Sequence, residues 1–159
     1  MVSLAPSQFT VWIDADACPR EVRDLLLRTA MRRDISIVFV ANASLALPRH
    51  DRIALQLVPS GSDKADDHIA DKAGQNDLAV TADIPLASRL VEKGLTVIGP
   101  RGEEYTSENI GERLAMRDLM DNLRSAGLAA GGPRELIRSD LQRFANALDR
   151  FITKRRRMP

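Results

Sequence analysis

Two hydrophobic periods alternate along this chain: short, nearly continuous apolar runs separated by segments patterned at helical spacing. Thr10–Asp14 reads as a buried strand ending on an acid, and Pro19 follows where a first helical turn accepts proline. The helix expected next runs to about Arg33. Val22, Leu25, Leu26, Thr29 and Ala30 share its apolar stripe, while Arg23, Arg28 and Arg32 fall mainly outside it. Residues 35–41 are almost wholly apolar and β-branched, as in a strand covered on both faces. Residues 55–59, 78–82 and 96–98 read as further strands, and 64–74 and 85–93 as helices stopped by Gly74 and Gly94. This order predicts an α/β fold of three layers, a mostly parallel central sheet flanked by helices.

Beyond Pro100 the pattern turns helical. Residues 109–126 are amphipathic through Ile110, Leu114, Leu119 and Leu123; 127–133 form a glycine-rich connector; 139–155 form a last helix with a seam of Leu141, Phe144, Leu148 and Phe151. The seam packs within the chain or makes a homodimer through the C-terminal helix, and spacing alone leaves both open. The expectation is one domain over 1–159: an α/β core over 1–100 and a helical part over 101–159.

With 159 residues, 44% of them hydrophobic, the chain can bury a core. Its apolar runs are far shorter than the about 20 residues of a membrane helix. The N-terminus lacks a basic segment followed by an apolar one, so a cytoplasmic protein is expected. One cysteine, Cys18, and two histidines cannot furnish a cysteine-rich zinc site, so any metal would be held by oxygen.

In open parallel sheets ligands bind beyond the carboxyl ends of the strands. Those ends are acidic here: Asp14 and Asp16 after the first strand, Asp63, Asp66 and Asp67 after the third, Asp83 after the fourth. Two carboxylates 4 Å apart repel by about 4 kcal/mol at an effective dielectric of 20, so convergence calls for a counterion. Mg²⁺ or Mn²⁺ suits such hard donors and supports phosphodiester cleavage. Helix capping accounts equally for Asp63, Asp66, Asp67 or Asp83 taken singly, but not for Asp14 with Asp16 or for the doublet. Thr81 and Ser60 offer hydroxyls to a phosphate or close turns, His68 neighbours Asp67, and Cys18 opens a helix where a thiolate is favoured.

Charge is unevenly spread. From residue 133 onward eight basic residues face three acids, a net +5, against −4 for the remainder. Arg143, Arg150, Lys154 and Arg157 along the last helix suit a polyanion held by its phosphates, or a solvated helix end. Aromatics make up only 4%, too few for a base-stacking platform.

The segments Trp12-Ile13-Asp14-Ala15-Asp16-Ala17-Cys18-Pro19, Gly61-Ser62-Asp63-Lys64-Ala65-Asp66-Asp67-His68-Ile69, Val80-Thr81-Ala82-Asp83-Ile84-Pro85 and Pro100-Arg101-Gly102-Glu103 together resemble the YaiI/YqxD family. That family is similar to PIN-like domains, commonly Mg²⁺- or Mn²⁺-dependent ribonucleases, and to their flap-nuclease branch. The resemblance implies a PIN-like fold and metal positions at Asp14, Asp66, Asp67 and Asp83. The chain departs from small PIN ribonucleases in holding one acid, Asp51, between Ile35 and Ser62.

Three functions are therefore expected to compete. The first is a Mg²⁺- or Mn²⁺-dependent nuclease on RNA rather than DNA, with Asp14, Asp66, Asp67 and Asp83 as catalytic carboxylates, Asp16 as a further metal ligand, and Asp63, Thr81 and His68 in support. The second is a haloacid-dehalogenase-like phosphatase with Asp14 as nucleophile and Asp16 as acid/base. The third is a non-catalytic nucleic-acid-binding module.

Overall fold

A computed structural model describes residues 8–61, 63–132 and 134–157; Ser62 of the second motif and Pro133 of the connector lie outside them. Strand β1 (Thr10–Asp14) leads through a single 3-10 turn (Ala15–Ala17) to α1 (Arg20–Arg33) and β2 (Ser36–Ala41). Then come β3 (Ile53–Leu57), α2 (Lys64–Lys72), β4 (Leu78–Val80), α3 (Ile84–Lys93) and β5 (Thr96–Ile98). A two-residue strand β6 (Glu104–Tyr105) precedes α4 (Ile110–Ser125) and α5 (Arg138–Arg156).

The six strands lie in the order β3-β2-β1-β4-β5-β6, all parallel except β6, which pairs antiparallel to β5. The chain winds outward from β1 to one edge and then returns to the other side, so the order reverses between β1 and β4. Strand alternation sorts the residues of β1. Val11 and Ile13 enter the core under α1 and α5, whereas Trp12 packs with the residues under α2 and α3. Asp14, two residues beyond Trp12, falls on that second face. The register pairs Ile13 with Val80, which brings Asp14 level with Thr81 at the end of β4.

The sequence expectations hold for the fold class and mostly within two residues for element ends. β3 begins two residues earlier than expected, β4 ends at Val80, and α2 ends at Lys72 with Ala73 as its cap, ahead of Gly74. Between β2 and β3 an irregular loop replaces the usual crossover helix; Leu45 and Leu47 fasten it to the α1/α5 core. Trp12, inside the strand expected to be buried, is only half-buried, and its indole N–H donates to Asp77 at 3.0 Å. Asp77 also accepts from the backbone of Thr10 and Gly74, tying the end of α2 to β1.

The α5 seam is intramolecular: Phe144, Leu148 and Phe151 are buried in the core and Leu141 packs against it. A dimer through α5 would therefore have to use its charged face. Among the described residues no helix is long and apolar enough to cross a membrane.

Three arginines anchor α5 at its start. Asp140, 0% exposed, accepts from Arg101, Arg134 and Arg143 and from the backbone N–H of Ile137. The hydrogen bonds from Arg134 hold its carboxyl well below the usual carboxylate range. The β5–β6 loop carrying Arg101 approaches α5 closely at Gly102, whose φ is +88° and where a Cβ would meet the Arg143 backbone at 2.6 Å.

Candidate functional site

The carboxylates gather where the sheet order reverses, the crevice in which open α/β sheets bind ligands. Asp14 ends β1 and is 7% exposed. Across the junction the Thr81 hydroxyl donates to Asp14 Oδ2 at 2.9 Å, and Thr81 Oγ1 accepts the Asp83 N–H at 3.0 Å. Asp83 caps α3, its carboxylate accepting the Leu86 N–H at 3.0 Å. The capping expectation is met, and the same side chain also faces Asp14 and Asp66.

Helix phase separates the Asp66-Asp67 doublet. Ile69 is the buried anchor of α2, and Asp66, three residues before it, shares its sheet-facing side. Asp67 lies about 100° further round, is exposed, and pairs with Arg89 of α3 at 3.0 Å. The structure therefore brings together Asp14, Asp66 and Asp83 and leaves Asp67 outside.

Electrostatics follow from this crowding. Burial first, then the charges of Asp83 and Asp14, a hydrogen bond with Asp83 and the charge of Asp63 push Asp66 up to about 7. Burial also raises Asp14; the Thr81 hydrogen bond opposes it, and Asp83 and Asp16 add to it. Among the described residues the charges that shift the two acids are those of other aspartates.

The other candidates are placed as follows. Asp16 is turned outward by the 3-10 turn and accepts the Asn42 N–H at 3.3 Å. Asp63 precedes α2 with φ +68°, makes no side-chain cap and is exposed. Ser60 is exposed. His68 faces the Trp12 ring at 6.1 Å; burial and then Lys72 lower its pKa. Burial pushes the Cys18 thiol up to about 12, so the thiolate expected at a helix start does not form near neutrality.

The basic residues of α5 are not beside the carboxylates. Arg143 is bound to Asp140 and Arg150 to Glu104 at 3.0 Å, while Lys154 and Arg157 are exposed. Arg155 reaches Asn76, before β4, and Arg156 the carbonyl of Arg33, the last residue of α1, so the tail lies toward the amino ends of the strands, opposite the ends that carry the acids. At 1.5 Å per residue it is about 24 Å along α5 from Asp140. The arginine hub on Asp140 escaped sequence reading: Arg134 and Arg143 lie near Asp140 in the chain, but Arg101 comes from 39 residues away.

Among the described residues no three His, Cys, Asp or Glu side chains stand as a set able to hold a metal ion as they are placed. Asp66 and Asp83 hydrogen-bond one another. The donor chemistry is nonetheless that of a hard divalent cation: carboxylate oxygens only, with like charges that a cation would relieve. Asp14, Asp66 and Asp83 are the side chains that would hold it.

The fold and this edge define an α/β protein with a carboxylate crevice at the reversal point of a mostly parallel sheet. Residues 12–154 match the family described as uncharacterized BCR, YaiI/YqxD, and the chain belongs to that family. It is similar to a UPF0178 protein of Trichlorobacter lovleyi, 50% identical over 145 residues covering 91% of this chain and 94% of that one. A UPF0178 protein of Citrifermentans bemidjiense is 51% identical over 144 residues (91% and 94%). One from Xanthomonas oryzae pv. oryzae is 47% identical over 154 residues (97% and 96%). No solved structure matches the chain.

Proposed function

We propose that this protein is a Mg²⁺- or Mn²⁺-dependent phosphodiesterase acting on nucleic acid in the cytoplasm, with Asp14, Asp66 and Asp83 at its reactive edge. One observation carries the reading. Acids from three separate elements meet at the sheet's reversal point, and burial followed by the charges of Asp83 and Asp14 drives Asp66 to about 7. Folded proteins retain like charges at such a cost where a function needs them. When bound, the cation would supply Lewis acidity to a phosphoryl oxygen and to the attacking water.

The chain's own groups do the positioning. Thr81 holds the Asp14 carboxylate and, through the Asp83 N–H, fixes the turn into α3. The α3 cap in turn holds the Asp83 carboxylate. The aspartyl-phosphatase alternative loses ground here, because Asp16, its acid/base, is turned outward and accepts from Asn42.

The test is a panel of single-stranded, duplex and structured RNA and DNA, incubated with Mg²⁺ or Mn²⁺ and with a chelator. Cleavage that needs the cation and disappears in Asp14→Asn, with the circular dichroism spectrum unchanged, is the expected result. Should neither cation promote cleavage nor raise the melting temperature of the wild type relative to Asp66→Asn, the proposal fails.

A further inference from the structure

Beside the carboxylates runs a groove of about 440 Å³, bounded by the start of α1, the turn into α3, the β5–β6 loop and α4. This volume falls within the about 300–1,000 Å³ of small-ligand clefts. The groove adjoins the reactive edge directly, since Ala82 and Ile84, which flank Asp83, line it.

Its far wall is one stripe of α4. Arg113, Met116, Arg117 and Met120 fall at i, i+3, i+4 and i+7 and all line the groove. The stripe is not core packing: α4 has no buried residue, and Met116 is 56% exposed.

The cations on it are available. Arg113 lies 5.8 Å from the centre of the Tyr105 ring and, among the described residues, makes no ion pair. Among the described residues Arg117 pairs only with Asp118 and Asp121 of its own helix, at 3.2 and 3.5 Å. Such exposed pairs give way readily to a better anion. Glu103, the groove's acid, is committed to the Arg101 N–H and the Tyr105 hydroxyl.

Guanidinium groups bind phosphate through paired hydrogen bonds, and methionine thioethers pack on flat rings. A wall carrying both, beside a carboxylate edge, matches a ligand made of a ring and a phosphate. We infer that this groove is a nucleotide-binding subsite, with the base against Met116 and Met120 and the phosphate on Arg113 and Arg117. Its role in presenting the next phosphodiester to Asp14, Asp66 and Asp83 rests on the function proposed above; the binding itself does not.

Calorimetric titration of the full chain with AMP, adenosine and inorganic phosphate, without added metal, tests it. AMP is expected to saturate one site, with adenosine and phosphate each binding at least about ten-fold more weakly because each keeps half the contacts. Arg113→Glu with Arg117→Glu, and separately Met116→Asp, should each weaken AMP by about ten-fold or more with the circular dichroism spectrum unchanged. Absence of saturable AMP binding, phosphate binding equal to AMP, or natively folded variants that bind as the wild type would overturn the subsite. AMP binding that responds to these substitutions in a chain that cleaves no substrate sinks the hydrolase reading alone. Cleavage by a chain whose AMP binding ignores them sinks the subsite alone.

Discussion

Thr81 Oγ1 stands 2.9 Å from Asp14 Oδ2, a hydrogen bond between residues 67 apart in sequence that closes the gap between β1 and β4. The same hydroxyl oxygen accepts the Asp83 N–H, so one buried side chain sets two of the three converging acids. Thr81→Val keeps the shape and removes both bonds. It leaves a buried carboxylate without its donor and a backbone N–H without its acceptor, at a cost of about 1–3 kcal/mol. Urea denaturation should show that loss, and Thr81→Ser should restore most of it. Because the Thr81 bond lowers the Asp14 pKa, NMR titration should find it higher in the valine variant.

Asp66 gives the folded protein a pH dependence of definite sign. Its carboxyl titrates at about 7 when folded against an ordinary 3.8, so between these values the folded chain keeps a proton that the unfolded chain has lost. Stability should therefore fall as pH rises from about 4 to about 7 and level off beyond. Asp66→Asn should flatten that decline and stand above the wild type at pH 8, while Asp14, also raised, preserves part of the slope. Thermal unfolding across the range decides it; parallel curves for the two proteins would show that Asp66 is not the group responsible.

Much of this edge was legible before the structure. Asp14 could be placed because an apolar strand ends on it, and Asp83 because a proline two residues on marks a helix start. Which of Asp66 and Asp67 turned inward was not legible, since the doublet occupies adjacent helical positions and only the packing of Ile69 sets the phase. β6 was invisible because two residues carry no period, and it forms only by pairing with β5. The charge of the last helix was visible, but its position was not. Sequence shows that Arg150, Lys154 and Arg157 are clustered, and only the path of α5 shows that they lead away from the acids.

The Pro100-Arg101-Gly102-Glu103 motif serves packing, and two glycines separate that claim from a general intolerance of side chains. Gly102 has a left-handed backbone and no room: a Cβ would meet the backbone of Arg143 and Phe144 at 2.6 and 2.8 Å. Gly102→Ala should cost about 1–3 kcal/mol and loosen the Arg101–Asp140 contact. Gly111, in α4, has nothing within 4 Å of the same atom, and Gly111→Ala should stabilise by about 0.5–1 kcal/mol. Equal effects in denaturant titrations would contradict the packing argument.

Cys18 sits two residues beyond Asp16, at the entrance to α1, yet its chemistry is suppressed. Burial is the main cause of a thiol pKa near 12, and the charge of Asp14 opposes the relief offered by Arg23. At pH 8 such a thiol is ionised to roughly one part in ten thousand, about a thousand-fold less than an ordinary cysteine. A disulfide-exchange reagent should therefore label the native protein about a thousand-fold more slowly than the urea-unfolded chain. Rapid native labelling at pH 8 would mean that the thiol is not held in its buried place against the α1/α5 core.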